Sequence, residues 1–319
     1  MSVVAIIGAT GKQGGSVIRQ LLKTSKWKVR GVTRNLDGET AQSLSREGVE
    51  MVYGDVNDES SLLRAFEGAT AIFAVTTFWE FIHTLGVEGA GEAEVSQFIN
   101  LAKAAAATPT LRHYVLSTLP SASRISAGQY PVPHFDFKQK GVDWIVANTP
   151  DLWAKTTEFW AGAYASNLAE LPLLKFIEIP GSGHYVLMAP SSPSGLFVLA
   201  GDMETNCGIV IEGILNASSR TFGKIVICVT DYIPLHDIAT EFSRVTGKPA
   251  TYLEVSDNNF AAIWGPFGTE LASQLRWGEQ YSDWESFGEG RVISMEELNL
   301  SDKLVSFGQA LEKLKDRLI

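Results

Sequence analysis

A short β-branched run, Val3–Ile7, passes directly into Gly8-Ala-Thr-Gly11-Lys-Gln-Gly14-Gly15. An amphipathic stretch follows, in which Val17, Ile18, Leu21 and Leu22 share one helical face. This strand, glycine turn and helix restrict the fold more than any other feature of the chain. Gly8 permits the tight turn, Gly11 leaves the backbone bare for close approach of an anion, and Gly14 lets the helix pack onto the strand. Unpaired N–H groups and the dipole at the helix start favour negative charge there.

The alternation then repeats, which is the pattern of a parallel sheet with crossover helices. Lys28–Val32 and Glu50–Tyr53 read as the second and third strands, with a polar helix around Thr40–Glu47 between them. Ser60–Phe66 is a short helix, Ala71–Val75 a fourth strand of continuous apolar type, and Glu92–Ala107 a long helix. His113–Ser117 gives a fifth strand, and a sixth is expected between Trp153 and Trp160. After residue 150 prolines break the rhythm around short strands such as Tyr185–Met188. Ile225–Val229 is a further strand, and Pro234 to about Thr246 a helix. The expected architecture is α/β: a doubly wound Rossmann unit over 1–165, to which 221–246 returns, and a smaller, interleaved α/β lobe over 166–319.

In a dinucleotide-binding unit of this kind, the acid that takes an NAD ribose hydroxyl lies ~20 residues beyond the glycines. Here that position falls on Thr33-Arg34-Asn35. Arg34, permanently charged and forked, suits the 2′-phosphate of NADP(H) instead. Gly8, Thr10, Gly11, Lys12, Gln13 and Gly14 would hold the pyrophosphate, with Lys12 as a second charge. Asp55 and Val56, after the third strand, are placed to meet the adenine, and Asp58 to cap the next helix.

Gly8–Gly15, Val32-Thr-Arg34, Gly54-Asp-Val-Asn-Asp58, Thr76-Thr77-Phe78-Trp79-Glu80, His134-Phe-Asp-Phe-Lys138 and Thr246-Gly-Lys-Pro249 together resemble the NmrA-like family of atypical short-chain dehydrogenases/reductases. The resemblance spans almost the whole chain. It implies a Rossmann core, a small C-terminal domain and NADP(H) at the strand ends, with Thr76, Thr77 and Tyr164 among its contacts. It also implies two functions, because the family holds both reductases of secondary metabolism and redox-sensing regulators.

Short-chain reductases pair a Tyr with a Lys four residues later, one helical turn apart. At that spacing this chain has His134 and Lys138, so the tyrosine is missing. Tyr130 is cut off by Pro131 and Pro133. Lys138 is expected on the nicotinamide ribose, His134 as the proton donor or as a helix-start histidine that only packs or hydrogen-bonds the backbone, and Ser117 as a hydroxyl that polarises a carbonyl. Phe78, Trp79, Trp153 and Tyr164 are the candidate substrate contacts, because ligands bind at the carboxyl ends of parallel strands.

Composition narrows the function classes. A net charge of −10 argues against nucleic acid or anionic lipid as partner. Two cysteines, Cys207 and Cys228, make neither a disulfide framework nor a structural zinc site, and His83, His184 and His236 lack ligand spacing, so no metal is expected. The N-terminus lacks a basic region and a long apolar run, and no stretch reaches the length of a membrane span. The expected compartment is the cytosol, with the nucleus open. Two readings remain: an NADPH-dependent reductase of an apolar or aromatic small molecule, and a non-catalytic sensor of NADP(H) that binds a regulatory protein.

Overall fold

The computed structural model describes residues 2–319. In the first half, six strands alternate with helices: β1 Ser2–Ile7, α1 Lys12–Thr24, β2 Trp27–Thr33, α2 Glu39–Arg46, β3 Glu50–Tyr53, α3 Glu59–Ala65, β4 Ala71–Ala74, α4 Ile82–Ala106, β5 His113–Thr118, α5 Ala122–Ile125, α6 Pro133–Asn148, α7 Pro150–Trp153 and β6 Thr156–Ala161. The second half contributes α8 Asn167–Glu170, β7 Ile177–Glu178, β8 Tyr185–Ala189, β9 Leu196–Leu199, α9 Met203–Ala217, β10 Ile225–Cys228, β11 Asp231–Pro234, α10 Leu235–Thr246, β12 Ala250–Glu254, α11 Asp257–Trp264, α12 Pro266–Gln280, β13 Val292–Ile293 and α13 Phe307–Leu314.

Eight strands form one parallel sheet in the order β13-β10-β6-β5-β4-β1-β2-β3. Its centre is covered on both faces, which is why β4, β5 and β6 are buried along their lengths. The strand order reverses between β1 and β4, and at such a switch point a crevice opens at the carboxyl ends of the strands. The glycine turn after β1 occupies that crevice. The fold class is therefore the doubly wound α/β class expected.

The smaller lobe holds a three-stranded sheet, β12-β8-β7, a β11-β9 pair, and a second apolar core in which Phe176, Leu187, Phe242, Phe260 and Phe307 meet. The chain passes between the lobes more often than a boundary at 165 and one return would give. Helix α9 packs on α1, and β10 and β13 extend the large sheet. Strand β11 and helix α10, inside the segment expected to return whole, belong to the smaller lobe.

Helix α4 begins ten residues before the expected Glu92 and breaks at Gly86, whose φ of 69° lies in the left-handed region. Glycines inside it serve packing. A Cβ at Gly91 would sit 2.1 Å from the Phe137 ring, and one at Gly141 on α6 would sit 2.5 Å from Phe98. The two helices therefore approach closely, and this contact fixes α6 beside the crevice.

Candidate functional site

The glycine turn is built as the sequence suggests. Gly8 has φ +64°, and a Cβ on Gly14 would stand 2.2 Å from the Gly8 carbonyl oxygen, so only glycine lets α1 start so close to β1. No side chain caps α1 at Gly11. The first-turn N–H groups of Lys12, Gln13 and Gly14 have no helical acceptors by geometry. Gly8, Gly11 and those three residues line a cavity of about 560 Å³ that runs between the lobes. This bare cradle at a helix start fits a pyrophosphate.

Most other candidates converge on the same cavity. Thr76, Thr77, Phe78 and Trp79 line it from the loop after β4, Ser117 from the end of β5, His134 and Lys138 from α6, and Tyr164 from the segment after β6. Thr10 is exposed on the turn. Apolar side chains of the smaller lobe, among them Leu173, Phe197, Phe267 and Leu271, close the far wall. Trp79 stacks on Phe267 with centroids 5.2 Å apart, and the His134 ring lies 4.9 Å from Trp79.

Trp153, Asp55, Val56 and Arg34 do not line the cavity. Trp153 ends α7 at the amino end of β6, at the opposite end of the strand from the crevice, and packs against the apolar cluster under the α3–α4–α6 layer. The expectation that it contacts substrate is corrected: a residue before a parallel strand faces away from the ligand edge. Trp160 is core, its indole donating to Glu158. Asp55 and Val56 lie outside the cavity; the Asp55 carboxylate accepts from the N–H and the side-chain amide of Asn57, each at 2.9 Å. Asp58 caps α3, accepting from the Ser60 N–H at 3.0 Å.

The charged candidates are already paired. Arg34 forks onto Glu80 at 2.7 and 3.2 Å, and Lys12 lies 2.6 Å from Glu170 and 3.5 Å from Glu204. Burial would raise the Glu170 carboxyl, but Lys12 and Arg317 hold it below the ordinary range. Lys138 donates to Glu94 and, at 3.3 Å, to the Thr76 hydroxyl, which itself donates to Glu94 at 2.7 Å. Glu94 is wholly buried, and its second carboxylate oxygen has no partner among the described residues. The Tyr164 hydroxyl accepts from Gln13 at 2.7 Å, and burial pushes its pKa up to about 12.

His134 is 5% exposed and sits on Glu270, a residue of α12 that is 1% exposed. One carboxylate oxygen accepts from both the His134 backbone N–H, at 2.8 Å, and ring Nδ1, at 2.6 Å. Sequence reasoning missed both Glu270 and Glu94. Each reads in the sequence as an ordinary helix acid, and only the packing of distant helices buries it.

A glycine turn of dinucleotide-binding form, at the switch point of a doubly wound parallel sheet, defines a Rossmann-class protein. The chain belongs to the NmrA-like family, which it matches over residues 1–307. It is 27% identical over 285 residues to the NmrA-like family domain-containing oxidoreductase cpsB of Aspergillus campestris, covering 86% of this chain and 81% of that one. Its fold is similar to that of NmrA, a negative transcriptional regulator, with TM-score 0.79, 21% identity and coverage of 99% and 96%. It is also similar to the Citrobacter sp. triphenylmethane reductase complexed with NADP(H), with TM-score 0.72, 19% identity and coverage of 99% and 100%. Among the described residues no helix is long and apolar enough to cross a membrane.

Proposed function

We propose that this protein is an NADPH-dependent reductase of an apolar, aromatic small molecule. The observation that carries this reading is the single cavity joining an uncapped phosphate cradle, a buried histidine and an aromatic wall. The pyrophosphate would lie on the first-turn N–H groups of α1, and the 2′-phosphate on Arg34 once Glu80 has moved aside. Lys138, freed in part from Glu94, would hold the nicotinamide ribose. When bound, NADPH supplies hydride. Trp79, Phe267 and Leu271 exclude water and orient a flat substrate, while His134 gives the proton. Tyr164, held neutral and bonded to Gln13, lines the pocket without titrating near neutrality. The oxidoreductase name of the cpsB relative and the reductase name of the Citrobacter structure support this reading. Buried, unpaired thiols at Cys207 and Cys228 suit the cytosol.

The sensor reading has support of its own. The missing tyrosine and the Lys138–Glu94 pair suit a protein that binds NADP(H) and responds by shape to a regulatory partner, and NmrA is described as a regulator. NADPH oxidation across aromatic ketones, enones and imines separates the two. Substrate-dependent turnover that falls about 10²–10⁴-fold in His134→Asn is expected for the reductase. Turnover unchanged in that variant removes His134 from the chemistry, and none with any substrate favours the sensor.

A further inference from the structure

We infer that Glu270 is the positioning residue of this site, a buried carboxylate from the smaller lobe that fixes the His134 tautomer and turns Nε2 to the substrate. The inference rests on the reductase reading for its use in catalysis, though not for its geometry.

The hydrogen bonds decide the tautomer. The Glu270 oxygen that meets the ring also accepts the His134 backbone N–H, and an ionised carboxylate has only acceptors to offer. Nδ1 must therefore donate, and a neutral ring carries its proton there and leaves Nε2 bare. Among the described residues no other hydrogen bond engages the ring, and Nε2 is not a sealed orphan. It is the open nitrogen of a residue that lines the cavity. On α12, Phe267, Leu271 and Gln274 face the cavity, while Glu270 lies one turn on from Phe267 and presses against α6. The dyad thus joins the lobes at the place where substrate would enter.

A bound NADPH would supply hydride to the substrate carbonyl carbon. As the C=O π pair moved to oxygen, that oxygen would take the Nε2 proton of protonated His134. The ring returns to the neutral Nδ1–H form on Glu270 and regains its proton from solvent. A carboxylate on Nδ1 holds the orientation of the ring through the step.

The neighbouring charges are otherwise engaged. On α6, Asp136 accepts from Ser123 and from the Val132 N–H, and Lys138 is held by Glu94 of α4. His83 packs its ring on Phe267, Glu80 is paired with Arg34, and Asp283 and Glu285 beside Trp284 are exposed. Glu270 is therefore the dominant charge on the ring.

The test uses ¹⁵N-imidazole spectra of the full, cofactor-free chain, which has five histidines. The wild type should show His134 as a single Nδ1–H tautomer. In Glu270→Gln the backbone N–H still claims the amide oxygen, so the tautomer persists while the charge is gone. In Glu270→Leu the acceptor is gone, so the ring should lose its single Nδ1–H form and show a mixture of tautomers, which Glu270→Gln should restore. A wild-type ring in the Nε2–H form, or a Nδ1–H tautomer that persists in folded Glu270→Leu, overturns the proposal. If the variants fail to fold, the wild-type tautomer decides alone. Absence of turnover together with the wild-type Nδ1–H tautomer counts against the reductase reading and leaves the dyad standing.

Discussion

On the proposed function, a 2′-phosphate would meet Arg34 in competition with a carboxylate. The Arg34 fork is taken by Glu80, so a 2′-phosphate must displace that partner, whereas a plain ribose hydroxyl need not. Both side chains are substantially exposed, so the exchange is cheap but not free. Arg34→Asp should therefore lower NADPH affinity about 10-fold or more and leave NADH within a few-fold. Glu80→Gln should raise NADPH affinity. Calorimetry with both cofactors measures each effect, and equal NADPH binding in all three proteins would sink the assignment. Lys138 needs a more careful design. Removing it leaves Glu94 buried and unpaired, so Lys138→Met should cost about 3–5 kcal/mol of stability before any ligand is considered. Adding Glu94→Gln should return much of that loss. Denaturant unfolding of the single and double variants reads it, and only the double variant reports cleanly on cofactor binding.

At the scale of elements, the first half of the sheet was legible because each strand and helix carries its own period and its own punctuation. The glycine turn, the Asp58 cap and the apolar runs at β4 and β5 are local signals, and local signals are what a sequence displays. Strand β13 pairs through two residues and has no periodicity to read. The break at Gly86 and the dyad of His134 with Glu270 depend on contacts between segments far apart in the chain, which no local window contains. Trp153 misled for the opposite reason: its aromatic ring looked like a site residue, but its place before the strand settles which edge it faces. The α4–α6 contact offers a test of the packing itself. Gly141 abuts Phe98, whose ring is fully buried and has nowhere to go. Gly141→Val should destabilise by at least about 1–3 kcal/mol. An unfolding midpoint equal to wild type would mean that α6 sits further from α4 than described.

Across the whole molecule, the two lobes are tied behind the glycine turn by ion pairs that depend on acids. Lys12 of the turn and Arg317 near the C-terminus share Glu170 of α8, and Lys313 of α13 reaches Asp202, the residue before α9. Burial pushes both carboxyls up, but their basic partners, helped at Asp202 by the Thr205 hydroxyl, hold them below ordinary values of 4.5 and 3.8. A depressed folded value sets the sign. The contribution is fully present above the ordinary value and is lost as pH falls through the lower, folded one. Acid should therefore loosen α13 and the C-terminal end before it touches β1 at the centre of the sheet, a strand with no acid of its own. Hydrogen exchange of α13 and of β1, corrected for intrinsic rates, should diverge between about pH 5 and pH 3. Glu170→Gln should weaken α13 already at neutral pH, because Lys12 and Arg317 lose their shared partner. The same variant frees Lys12 beside the phosphate cradle, so NADPH should bind it at least as tightly as wild type. Weaker NADPH binding in that variant would mean that Lys12 needs Glu170 to stay in position, and that the ion pair serves the turn rather than competing with its ligand.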